Sequence, residues 1–129
     1  MRIPVQINES SAEPLYHQIE TQLRSLIVTG QIAEGTLLPS IREFSADLKC
    51  SVITIRRVYQ DLENEGLLRT RQGTGTFVAK VDTEDREAYR KRIVVEAVRE
   101  LLDTAKSVGY GLTDLKDLLD ETLREEERK

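Results

Sequence analysis

Five arginines, Arg42, Arg56, Arg57, Arg69 and Arg71, are the residues of this chain best suited to chemistry. A guanidinium offers five N–H donors in a planar fork, a shape that matches phosphate oxygens and the edge of a guanine. Beside them stand the hydroxyls of Ser40 and Thr54, the amide of Gln72, and Gly73, where the backbone can approach a partner closely. No acid interrupts the stretch from Ser51 to Gln60 or the stretch from Arg69 to Lys80. The chemistry on offer is recognition of a polyanion. Bond-breaking is not: the residues contain no nucleophile with a base in motif spacing, no metal-ligand cluster and no catalytic pair of acids. Cys50 and His17 are each the single residue of their type, so neither an internal disulfide nor a metal site is expected, and no cofactor. Cys50 reads as a small buried filler and His17 as a surface residue.

The elements that must position these side chains follow from local signals. Ser40 and Glu43 have the spacing of a capping box, so a helix starts at Ile41, with Ile41, Phe44 and Leu48 on its apolar face. Lys49-Cys50-Ser51 breaks the pattern, and Ser51 is suited to cap a second helix. Ile55, Val58, Tyr59 and Leu62 recur at i, i+3, i+4 and i+7 along that helix, and Gly66 stands where a left-handed end belongs. With Ile55 at the centre of the buried face, Ile53, Arg57, Gln60, Asp61 and Asn64 face outward, and Thr54 and Arg56 lie on the flanks. Leu67–Arg71 and Thr76–Ala79 alternate weakly around Gln72-Gly73-Thr74-Gly75, a hairpin whose glycines supply the positive φ angles of a tight turn. Gly73-Thr74-Gly75 is not a phosphate-cradling loop, because no lysine follows in the required spacing and a strand rather than a helix comes next. Helix, turn, helix and hairpin in this order make a winged helix-turn-helix, which places its second helix in the major groove of DNA. Arg69 and Arg71 would meet phosphates, and the Gln72-Gly73 tip would reach a minor groove.

Two segments, PLYHQIETQLRSLIVTGQIAEGTLLPSIREFSADL and TIRRVYQDLENEGLLRTRQGTGTFV, carry a family resemblance. Over about residues 10–79 the chain resembles the DNA-binding domain of GntR-family bacterial transcription regulators, and its short tail is similar to that of the YtrA-like branch. The resemblance implies a homodimeric DNA-binding regulator, usually a repressor, and in that branch one that often governs ABC-transporter operons. It also implies site residues. Arg42, in LPSIRE, matches the family's DNA-contacting arginine. Ser40 matches the position that caps the helix and touches phosphate. Thr54 and Arg56 match the T-[VIL]-R element, and Gln72 and Gly73 match the wing tip. The chain departs from the pattern at Val52-Ile53, where the family often has a polar or basic residue. An apolar contact, for example with a thymine methyl, is what that position offers instead.

Composition bounds the rest. The chain has 129 residues and a net charge of −4, with hydrophobic residues at 39% and no tryptophan. Positive and negative residues balance over residues 1–80, so the acidity lies wholly in residues 81–129. DNA affinity must therefore come from local clustering, with a strong dependence on salt. No apolar run is long enough to span a membrane, and the N-terminus lacks a secretory signal, so a cytoplasmic location is expected.

We expect a mainly α chain with a small β-hairpin: a winged helix-turn-helix over residues 1–80 and a two-helix tail over residues 81–129. Pro14 opens a helix at its first position, with a stripe of Leu15, Ile19, Leu23, Leu26 and Ile27 packed behind the helix-turn-helix. Residues 3–7 are expected to be extended, and residues 31–39 to be a connector. In the tail, Val94, Val98, Leu101, Leu102 and Ala105 form one stripe; Leu112, Leu115, Leu118, Leu119 and Leu123 form another, with Thr113 as its cap and a frayed end from Arg124. Two such helices leave apolar surface that a second copy would cover, through Val94, Val98, Leu101, Leu102, Leu115 and Leu119. The rival arrangement folds the tail back onto the chain's own first domain. A small-molecule effector could bind between subunits, but no residue names it. The expected function is sequence-specific binding of a double-stranded, inverted-repeat DNA operator by a homodimer; the alternative is a winged-helix module for protein–protein contact without specific DNA binding.

Overall fold

The computed structural model describes residues 2–129. Its elements are α1 (Leu15–Val28), α2 (Ile41–Leu48), α3 (Val52–Asn64), β1 (Leu68–Arg71), β2 (Gly75–Val78), α4 (Thr83–Ser107) and α5 (Leu112–Glu127). They form two compact units, one ending at Arg86 and one starting at Glu87, so the division falls inside the first turns of α4.

In the first unit, α1, α2 and α3 enclose a core in which Ile19, Leu23, Phe44, Ile55, Val58 and Leu62 have no exposed surface. Phe44 and Tyr59 stack with ring centroids 6.0 Å apart, and the Tyr59 hydroxyl donates to the Pro39 carbonyl at 2.7 Å. Burial pushes the Tyr59 hydroxyl well above the ordinary tyrosine range, so it remains a donor. The capping box at α2 is complete: the Glu43 N–H donates to Ser40 Oγ at 3.1 Å, and the Ser40 N–H donates to the Glu43 carboxylate at 3.4 Å. Ser51 caps α3 by accepting from the Thr54 N–H. Lys49 lies between the two helices at φ 54°, the left-handed region, which makes the turn tight.

β1 and β2 pair antiparallel from Leu68↔Val78 to Arg71↔Gly75. The segment expected to be a plain connector extends this sheet. Leu37 bridges Phe77, the Leu38 N–H donates to the Thr76 carbonyl, and the Val78 N–H donates to the Thr36 carbonyl. This pairing ties the start of α2 to the hairpin.

Other local expectations also need correction. Pro14 has ψ 146°, an extended value, so it is the N-cap of α1 rather than its first residue. The segment around residues 3–7 joins no strand; it is held along α1 by glutamine side chains that act as a substitute strand edge. Gln22 accepts from the Gln6 N–H and donates to its carbonyl, and Gln18 does the same for Asn8.

In the second unit, Gly109 (φ 73°) ends α4, and the Tyr110 N–H returns to the Ala105 carbonyl. The N-cap of α5 is Gly111, with no side-chain cap bond, so Thr113 does not cap it. The helix continues to Glu127, past the expected fraying point. Of the apolar residues flanking the α4–α5 turn, Ala105 and Leu115 are buried, whereas Val94, Val98, Leu101, Leu118, Leu119 and Leu123 are exposed.

Candidate nucleic-acid interface

The N-terminal ends of α2 and α3 and the returning strand of the hairpin line one groove. Ser40 and Arg42 come from α2, Arg56 from α3, and Thr74, Gly75 and Thr76 from the hairpin. Their convergence follows from the local chemistry already described. The capping box aims the first turn of α2, the left-handed Lys49 sets α3 across it, and the Leu37–Phe77 bridge draws the hairpin alongside. Gly75 is needed at that bridge. It has φ 130°, and a Cβ there would sit 2.9 Å from Leu37 Cδ1.

Arg42 and Arg56 are exposed and have no ion pair or hydrogen bond among the described residues. Two such guanidiniums in one open groove are suited to an anionic partner. Arg69 and Arg71 share the outer face of β1 and are likewise exposed; Arg71 leans over the Phe77 ring, 5.8 Å from its centroid. Gln72 and Gly73 form the exposed tip, and Gly73 has φ 81°. Thr54 is half-buried, with its hydroxyl 2.8 Å from Ser51 Oγ, so much of its bonding capacity is used in closing the start of α3.

Arg57 stands apart from the groove. Its guanidinium lies 3.5 Å from the centroid of the Tyr16 ring on α1, and its Nε is 3.7 Å from Asp61. This cation–π stack positions the side chain before any partner arrives. Sequence reasoning missed Tyr16 as the support of Arg57, and missed Thr74 and Thr76 as groove residues. An aromatic on the first helix carries no local mark of its partner, but the alternation of β2 could have singled out Thr76.

Behind the interface lies a charged contact between α1 and α3. Glu20 is buried, and burial and the neighbouring Asp61 carboxylate push its carboxyl up to about 8, with Arg24 opposing and Glu65 adding to the shift. Arg24 forms a two-pronged ion pair with Glu65, its closest contact 3.0 Å. Burial also raises the Cys50 thiol, which is only partly covered. The described residues contain no group of three or more His, Cys, Asp or Glu that could hold a metal ion. No helix among them is long and apolar enough to cross a membrane.

The helix-turn-helix with its hairpin wing defines a DNA-binding transcription regulator. Residues 15–78 match the model of the gntR family of bacterial regulatory proteins, and the chain belongs to that family. It is 28% identical over 117 residues to the transcriptional repressor YtrA of Bacillus subtilis, covering 91% of this chain and 90% of that one. Among solved structures, a GntR family transcriptional regulator from Listeria monocytogenes superposes with a TM-score of 0.71 at 25% identity, covering 89% of this chain and 98% of the other. The DNA-binding domain of AraR in complex with operator ORX1 superposes with a TM-score of 0.50 at 34% identity, covering 61% and 92%. The chain is thus a YtrA-like GntR regulator and not an enzyme.

Proposed function

We propose that this chain is a homodimeric repressor that binds an inverted-repeat operator and blocks transcription of an operon, in the cytoplasm where the DNA lies. The observation that carries this reading is the groove in which unpaired Arg42 and Arg56 converge with the hairpin. In this reading α3 enters a major groove with Arg56 and Thr54 toward the bases. Arg42 and Ser40 hold the backbone, Arg69 and Arg71 meet flanking phosphates, and Gln72 and Gly73 reach the minor groove. Arg57, stacked on Tyr16, is set to meet phosphate at the α1 side.

The second unit supplies the twofold contact. Val94, Val98, Leu101 and Leu119 are exposed, and Leu102 is half-covered. A second copy would remove this surface from water. Leu115 is already buried within its own chain and would support the seam from beneath. Two linked half-sites then explain how a chain of balanced charge in its first part attains useful affinity. The likeness to YtrA supports repression, and the likeness to an operator-bound domain supports an operator as the target. ABC-transporter genes are the proposed regulated class, and a small molecule bound between subunits the proposed release signal.

The test is fluorescence anisotropy with the DNA upstream of the protein's own gene and a scrambled duplex, at two salt concentrations. Tight, salt-sensitive binding to the first and weak binding to the second is expected. Equal weak binding to both would remove the reading of a self-regulating repressor.

A further inference from the structure

We propose that Ile53 is a specificity-determining residue that reads the C5-methyl group of a thymine in each half-site; this rests on the DNA-binding reading above. Ile53 lies in the first turn of α3 and is 75% exposed. Among the described residues of the first unit, Leu37 is the other exposed large apolar residue, at 49%, and its backbone is engaged in the sheet. Ile53 has no such structural task. At that exposure it adds little to the core, and a β-branched residue is not favoured over alanine in a helix.

Its position gives it a reason. Arg56, Arg57 and Gln60 follow it at i+3, i+4 and i+7, so the four side chains form one outward stripe. Arg56 faces the groove shared with Arg42, and Arg57 is turned toward Tyr16. Ile53 therefore projects between two cations that diverge to either side. When the arginines engage the backbone and the base edges, the side chain between them faces the floor of the major groove. Isoleucine has neither a donor nor an acceptor, so it cannot read the hydrogen-bonding pattern of any base. The apolar feature that a base pair shows in the major groove is the thymine methyl. An isoleucine opposite cytosine or adenine would instead cover a polar edge without pairing it, which disfavours those bases.

The experiment uses a duplex selected from a randomised pool by the full-length protein. Each thymine of the bound site is replaced in turn by deoxyuridine, which removes the methyl group and keeps base pairing. Affinity is measured for the wild type, Ile53→Ala and Ile53→Val. We expect one thymine per half-site whose replacement weakens the wild type about fourfold, the factor that corresponds to one buried methyl group. Ile53→Val should keep that sensitivity, and Ile53→Ala should lose it while retaining the wild-type helical spectrum. Specific binding with no deoxyuridine effect, or with the same effect in wild type and Ile53→Ala, would overturn the assignment of Ile53 alone. Failure of the wild type to enrich any sequence would overturn the DNA-binding reading, and the assignment with it.

Discussion

The two units of this chain treat their apolar residues in opposite ways. In the first, the stripes of α1, α2 and α3 meet one another, and Ile19, Phe44, Ile55 and Leu62 are sealed from water. In the second, α4 and α5 have stripes of similar regularity, yet Val94, Val98, Leu119 and Leu123 remain exposed. Amphipathic periodicity predicts that a helix will bury one face; it does not say against what. The first unit has enough elements to complete a core within one chain. The second is a pair of helices, which covers Ala105 and Leu115 near its turn and leaves much of both stripes open.

Mutations that shorten apolar side chains should therefore have different consequences in the two units. Phe44→Ala removes a fully buried ring that stacks on Tyr59. It should cost about 3–5 kcal/mol of stability in urea denaturation and abolish DNA binding with it. Val94→Ala should barely alter the denaturation of the first unit. A charge on the same surface is a stronger test. Val94→Glu with Val98→Glu should leave the helical content intact and convert a dimer to a monomer in sedimentation velocity. Operator affinity would then fall by about 100-fold, the lower end of what linking two sites supplies. An unchanged sedimentation profile would show that this face is not the twofold contact.

A smaller effect sharpens the contrast within the interface. Arg42→Ala or Arg56→Ala should each weaken specific binding by about 1–3 kcal/mol in anisotropy titrations. Arg57→Ala should reduce binding to specific and non-specific duplexes alike, because a phosphate contact carries no sequence information. Tyr16→Leu, which removes the ring beneath that guanidinium, should reproduce part of the Arg57→Ala loss. Full affinity in the Tyr16 variant would mean that the stack does not preposition Arg57.

How much of this was legible from the sequence depended on how local each device is. The capping box at Ser40 and Glu43, the Ser51 cap and the Gly73 turn are encoded within a few residues, and each stands where the sequence placed it. The GntR resemblance extended that legibility to the family itself. What escaped was contact between distant segments. Leu37 bridges Phe77 across forty positions of chain, and its only local trace is Gly75, whose second role as the residue that makes room for Leu37 looks like ordinary turn chemistry. Gln18 and Gln22 carry no local mark of their role, yet Gln18 is buried and both bind the N-terminal segment. The α5 cap was misassigned because Thr113 is a good capping residue, whereas the backbone turns extended one step earlier, at Gly111.

The first unit is not sealed by apolar contacts alone, and its one charge conflict gives the smallest predicted effect. Glu20 on α1 is buried against Asp61 on α3, with Arg57 paired to Asp61 and the Arg24–Glu65 pair nearby. Its Oε1 has no hydrogen-bond partner. Burial disfavours its charged form, and a proton also lets the neutral acid donate to Asp61; together these raise its carboxyl from 4.5 to about 8. The folded chain then holds a proton that the unfolded chain has released between those values. By linkage, this contribution to stability is complete below about pH 4.5 and declines as the pH rises toward 8. Glu20→Gln keeps a donor in place at every pH. Its urea midpoint should therefore match the wild type in mild acid and exceed it at pH 8, by about 1 kcal/mol in stability, the cost of an unsatisfied buried group. Parallel wild-type and variant curves across that range would mean that Glu20 is charged throughout, with Arg24 as its effective partner.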